Sequence, residues 1–393
     1  RRAAMRADPR ARGWRAVWGP AGGRGPAGPV EPSGPAGSVG PAGSAEAAVP
    51  ASQPAGRALL LLGDQIYTDA TAGLFDPSDA DARDVKPYER LFRIPSLRWL
   101  LRRVPAFMML DDHELIDNWE PARDGTVNAA RLQAGRAGYL KFQRCAGPPR
   151  PPAIGDSAHP LWYRFEVDGL PFFMVDSRTE RTSRSAATLT DARMISDAQY
   201  AALRDWLLAL HARDRAEGRT GDRARPKFIA SPAMMFPRRL RCHEPGTSAG
   251  ALRADGWDGY PATSNRLLAL IAARRIENVV FLSGDEHLAV VARAVLQQQG
   301  AEPVTVHSVH CPALFAPYPF ANGTPPEFAE CESWTFGDPE AGAGGPLHHC
   351  TVRARFFGPG NGFAMVDVRR ADGRVSVTFS LENGEELTVP LER

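Results

Sequence analysis

The chain has 393 residues, and 47 Lys and Arg stand against 45 Asp and Glu, a formal net charge of +2. This length holds one large domain or two ordinary ones with a sizeable core, and near-neutrality argues against a dedicated nucleic-acid binder, which needs a basic face. No apolar run approaches the ~18–20 residues of a membrane span, and five Cys, none spaced C-x-x-C, indicate neither a disulfide framework nor a zinc knuckle.

Residues 1–56 are about three-fifths Ala, Gly and Pro and carry seven Arg against Asp8, Glu31 and Glu46. Such a segment buries too little apolar surface to offset the entropy of ordering it, so it is predicted to be a disordered tail preceding a domain over 57–393. Arg1-Arg2 is followed by no apolar h-region, so no export signal is read and a cytoplasmic location is expected. The missing initiator Met suggests a processed or truncated start.

From Arg57 onward, short apolar runs recur and each stops at a polar cluster. Ala58–Leu62 runs into Gly63-Asp64-Gln65-Ile66-Tyr67, and Ala106–Leu110 into Asp111-Asp112-His113-Glu114. Phe172–Val175 leads to Asp176-Ser177-Arg178, Lys227–Ala230 to Ser231-Pro232, and Asn278–Leu282 to Ser283-Gly284-Asp285-Glu286-His287. Continuous runs of this length predict strands buried on both faces, and sites in open α/β sheets lie beyond the carboxyl ends of such strands. A capping box at Ser196 and Gln199 opens a helix with Tyr200, Leu203, Leu207 and Leu210 on one face, and Ser264 is expected to precede another. Cys331 to Gly345 reads as a loop, and His348-His349-Cys350 beyond it as solvent-exposed. The chain closes on three alternating segments with turns at Asp372-Gly373 and Asn383-Gly384, an antiparallel meander. The fold class is therefore mixed α/β.

The polar clusters carry the chemistry. Asp64 and Tyr67, three apart after a strand, offer carboxylate and phenolate oxygens to a hard cation or ferric iron; the alternative is a turn cap and a packed ring. Three acids around His113 are costly to bury without cations or hydrogen-bond partners, and Asp117 and Asn118 follow closely; a helix N-terminus welcoming negative charge is the alternative. Asp285 and His287 form a D-x-H pair that can reach one metal, or else lie on a solvated loop. Arg178 can grip a phosphate through its planar fork, or pair internally with Asp176 or at the surface. His307 and His310 fit a structural or supporting role. No G-x-S-x-G, Walker or G-x-G-x-x-G motif occurs, and Cys145 has no activating partner.

In their order along the chain, these clusters, with Trp257-Asp258-Gly259-Tyr260-Pro261, resemble the PhoD-like metallophosphatases, the alkaline phosphatase D branch of the calcineurin-like metallophosphoesterases. The resemblance runs from about residue 57 to about residue 320. It implies a two-sheet β-sandwich flanked by helices with a metal centre at the strand ends. It further implies phosphomonoesterase or phosphodiesterase activity with iron together with calcium, other divalent metals being compatible. By position, Asp64 would bridge two metals, Tyr67 would bind iron, Asn118 would bind calcium, and Asp285 and His287 would complete the site. Arg178 would face the phosphate. Asp112-His113 takes the place of the superfamily's Asn-His pair, so His113 would assist the leaving group or support the site from behind. The family's further ligand, a Cys or Asp on an early strand upstream of Asp64, has no counterpart here, since that region is the tail and no Cys precedes Cys145.

The function expected is metal-assisted hydrolysis of a small phosphate ester. The missing upstream ligand motivates an alternative, a catalytically inert metal-binding homologue acting as a binding module. A metal hydrolase for another ester is a third possibility. The sequence carries no signal for oligomeric state.

Overall fold

The computed structural model describes residues 57–70, 79–121, 128–146, 159–239, 252, 254–315, 324–342, 344–358 and 360–392. The predicted tail, where the missing upstream strand would fall, lies outside the described residues. Strands β1 (Leu59–Leu61) and β2 (Ala106–Met108) pair in parallel. Three short helices join them: α1 (Ala80–Asp84), α2 (Lys86–Arg93) and α3 (Pro95–Leu101). After α4 (Asn128–Phe142) come β3 (Tyr163–Val167), β4 (Leu170–Met174), α5 (Asp197–Ala216), β5 (Lys227–Ala230), α6 (Pro261–Arg274), β6 (Val279–Ser283), β7 (Val290–Gln298), β8 (Val304–His310), β9 (Cys331–Gly337) and β10 (Leu347–Phe356). A final meander holds β11 (Gly362–Val368), β12 (Val375–Leu381) and β13 (Glu386–Pro390).

Eight strands form one sheet in the order β3-β4-β5-β6-β8-β7-β10-β9. Its centre, β4-β5-β6-β8, is parallel, and the strands beyond it on both sides are antiparallel. Side chains alternate between its faces. Phe173, Ile229, Val279 and Phe281 pack with Tyr200, Leu203 and Leu207 of α5 and Leu267, Leu268 and Ile271 of α6. Phe172, Met174, Phe228, Ala230, Val280 and Leu282 pack instead with Leu60 and Phe107 of the β1–β2 pair and Val377 and Phe379 of the meander. The expected two sheets thus become three hydrogen-bonded ones among the described residues. The layer opposite the large sheet is built from two separate pieces, a parallel pair and a three-stranded meander.

Several local expectations change. Ser196 caps α5 by accepting from the Gln199 N–H (3.2 Å), but the box does not close. The Gln199 amide turns instead to Asp176, accepting from its N–H (2.9 Å) and donating to its carbonyl (3.0 Å). Helix α6 starts at Pro261 rather than after Ser264, because proline's fixed φ suits a first helical position. Cys331 to Gly337 is strand β9, not loop, and β10 buries His348 and Cys350 while exposing only His349 of that trio.

Candidate metal centre

The polar segments after β1, β2, β4 and β6 converge. Gly63, at φ +106°, lets the chain leave β1 against the next loop: a Cβ there would stand 2.4 Å from the Asp111 Cβ. Glu114 then ties the two loops together. Its carboxylate accepts from the backbone N–H of Asp64 (3.2 Å), Gln65 (2.9 Å) and Asp111 (2.9 Å), and from the Gln143 side-chain amide (2.9 Å). Thr68 adds to the seam, its hydroxyl donating to the carbonyls of His113 and Leu115 (both 3.0 Å).

Oxygen atoms from Asp64, Asp111, Asp112 and Asp285 all lie within 4.8 Å of one another, and Asp64, Asp112 and His113 form a second such group. Asp112 is fixed from its own loop, accepting from the N–H groups of His113 (3.1 Å) and Asn118 (2.6 Å). His287 Nε2 lies 3.3 Å from the Tyr67 hydroxyl and 3.9 Å from Asp64 Oδ2. Asp64, Asn118 and His287 each adopt left-handed backbone, at φ 55°, 50° and 54°. Asp, Asn and His tolerate this region better than most residues, yet it remains uncommon outside glycine and gathers at functional sites.

Arg178 sits beneath this cluster with no exposed surface. Its guanidinium donates to Asp111 and Asp255, and to Asp285 Oδ2 at 3.0 Å, and lies 3.6 Å from Asp112. Arg181 shares Asp255, donating to its Oδ1 (2.5 Å) and its carbonyl (2.9 Å). Burial works against a charged Asp255, but these two guanidiniums hold it below the usual carboxylate range.

The remaining acids are under-compensated. Among the described residues, Arg178 reaches Asp111, Asp112 and Asp285, and no guanidinium pairs with Asp64 or Glu114. Burial, reinforced by Asp112 and Asp111, pushes Asp64 well up, and burial together with Asp111 does the same to Asp285. Burial drives Asp111 up to about 8 despite Arg178, and Glu114 up to about 7 despite its hydrogen bonds. Asp111 Oδ2 is buried without a hydrogen-bond partner. Buried charge of this kind calls for protons or cations, and carboxylate oxygens with adjoining imidazoles suit a hard or borderline cation. The residues present fit one. Burial also pushes the His287 imidazole down to about 4, so its ring is neutral, as a metal ligand must be.

A family model for the PhoD-like phosphatases matches residues 49–321. The chain belongs to the PhoD-like phosphatase family. No curated protein matches the sequence. A solved structure of PhoD is similar at 16% identity and a TM-score of 0.48, covering 85% of this chain, and the chain spans 66% of that protein's length.

Within this PhoD-like chain, Asp64, Asp112 and His113 lie together, and Tyr67 and His287 adjoin Asp64 while Asp285 joins its carboxylate group. Two of the residues singled out stand differently. Asn118 reaches the site through its backbone, while its exposed side-chain amide donates to Asp117 Oδ1 (3.1 Å). Arg178 grips carboxylates from below instead of opening toward solvent, and Asp176 accepts from its backbone N–H (3.1 Å) rather than from its guanidinium. Sequence reasoning missed Asp111 as a member of the oxygen cluster, Glu114 as the loop tie, Asp255 as the shared counter-ion and Asp69, which lies 2.9 Å from His113 Nδ1. The family motif at Trp257 also supports the structure around the site. Its indole donates to Ser231 Oγ (3.0 Å) and Tyr260 stacks on Arg184 (4.4 Å), walling the side that carries Asp255. His310 supports the Asp285–His287 loop from behind. It accepts from the Glu286 N–H at Nε2 (3.1 Å), so its Nδ1–H points to Ser283 Oγ (2.8 Å).

Proposed function

We propose that the chain is a metal-dependent hydrolase of small phosphate esters, monoesters or diesters, with iron and calcium as the cations its family resemblance implies. The observation that carries this reading is the group of four carboxylates at the strand ends of a PhoD-like chain, Asp111 and Asp112 buried and Asp64 and Asp285 half-buried. Asp64, Asp285 and His287 would hold the cations, with Tyr67 and the neighbouring Asp111 and Asp112 as further donors; Asn118 would join them by turning its side-chain amide away from Asp117. Bound cations would supply Lewis-acid polarisation of the phosphoryl group and acidify a water nucleophile.

The protein's own groups divide the remaining work. Arg178 holds Asp111, Asp112 and Asp285 in register from below, a preorganising role. His113 is held at Nδ1 by Asp69 (2.9 Å), and its Nε2, 3.9 Å from Asp117 Oδ1, would be the atom that gives a proton to a leaving oxygen. Burial opposes charge on His113, but the Asp69 hydrogen bond and the Asp112 charge outweigh it and raise its pKa, which favours a proton donor. The test is turnover of aryl phosphate mono- and diesters by metal-reconstituted protein beside Asp64→Ala. Activity in the wild type alone supports the reading, and equal activity in both sinks it.

One observation favours a second reading, a metal-binding homologue without catalysis: the fully buried Arg178 is not offered to a phosphate. Stoichiometric metal with no turnover of any ester in a panel that includes carboxylic esters would select it.

A further inference from the structure

From Arg90 to Arg103 the chain holds five arginines (Arg90, Arg93, Arg98, Arg102 and Arg103) and no acidic residue. All five are exposed. The segment ends α2, forms α3 and runs toward β2, and α3 has no buried residue at all. Leu97, Leu100 and Leu101 are only half-buried, and Ile94 and Trp99 are each 44% exposed. Among the described residues, Arg93 alone of the five makes an ion pair, with Glu89 at 3.4 Å. Arg103 lies 4.1 Å from the Trp99 ring centroid and donates to its carbonyl, so it holds the indole at the surface without neutralising any charge.

We infer that the α2–α3 face docks on the anionic surface of a lipid bilayer. Unpaired cationic charge complements anionic headgroups, while exposed Ile94 and Trp99 and the half-buried leucines supply an apolar side that sits at the headgroup boundary. A nucleic acid would satisfy the arginines but leave Ile94 and Trp99 in water. None of the helices among the described residues is long and apolar enough to cross a membrane, so the contact is peripheral, reversible and screened by salt. The near-neutral total charge conceals this local asymmetry.

Cosedimentation of the full chain with vesicles tests the inference, and it needs no turnover, so its outcome is independent of the hydrolase reading. Vesicles of phosphatidylcholine mixed with phosphatidylglycerol should bind the protein, phosphatidylcholine alone should not, and added salt should release it. Each arginine near an anionic surface is worth about fivefold in binding. Arg98→Gln, at a side chain with no partner among the described residues, should therefore lose about fivefold, and Arg98→Gln with Arg90→Gln and Arg102→Gln about a hundredfold, with the melting temperature unchanged. Trp99→Ala should weaken binding while leaving the salt dependence alone. Absent wild-type binding, or glutamine variants that bind like wild type, overturns the inference. So does binding that is indifferent to Trp99→Ala and competed away by duplex DNA, which would mark a general polyanion surface.

Discussion

Replacing Arg178 by Ala withdraws the one side chain among the described residues that contacts Asp111, Asp112, Asp255 and Asp285 together. Removing one partner of a buried ion pair costs about 3–5 kcal/mol, because the other charge is left uncompensated. Two features set the value at the low end. Asp255 keeps Arg181, and Asp111 and Asp285, already raised by burial, can take up protons. Losing the cation lifts their folded-state pKa values further above the unfolded ones, so the folded variant binds more protons and loses stability as pH rises. In chelator, urea unfolding should show a loss of about 3 kcal/mol near pH 9 and a clearly smaller one near pH 6. A loss below about 1 kcal/mol at both pH values, with weakened phosphate binding, would refute the reasoning and return Arg178 to the phosphate-facing role its position in the sequence implied.

Glu114→Ala leaves three backbone N–H donors without their acceptor; the expected cost is about 3 kcal/mol, measured by urea unfolding, with metal affinity lost as the two loops part. Gly63→Ala meets both a left-handed φ of +106° and a 2.4 Å approach to the Asp111 Cβ. It should cost about 2 kcal/mol or more in unfolding experiments and lower metal content in the folded protein. In wild type without metal, burial pushes the folded-state Glu114 carboxyl up to about 7 and that of Asp111 up to about 8. Both lie above their unfolded values, so the stability they contribute is complete in acid and is lost as pH rises through that window. Melting temperature against pH should fall there in chelator and flatten when a divalent cation is added.

What the sequence reveals here follows what burial does to residue types. The run Lys227–Ala230 is apolar enough to be a central strand and becomes β5 with the same bounds. Asp111–Glu114 stands out because acids after an apolar run are costly unless something compensates them. The alternation in β9 and β10 lies beside Gly and Pro, which made a loop the simpler reading, and only pairing with β7 shows why His348 and Cys350 turn inward. Partnerships across long separations leave no local pattern. Asp255 meets Arg178 across 77 residues, and Asp69 meets His113 across 44. For Arg178 the residue type was informative, but its direction depends on which elements close over it.

Metal content is the most direct measure of the central claim that the buried carboxylates exist to hold cations. Elemental analysis after equilibrium dialysis should find bound cation in the wild-type chain. Asp64→Ala and Asp285→Asn should each lower it sharply while keeping a cooperative melt, and aryl phosphate turnover should fall with it. A folded wild-type protein that binds no cation, or variants that keep both the metal and the turnover, would contradict the account.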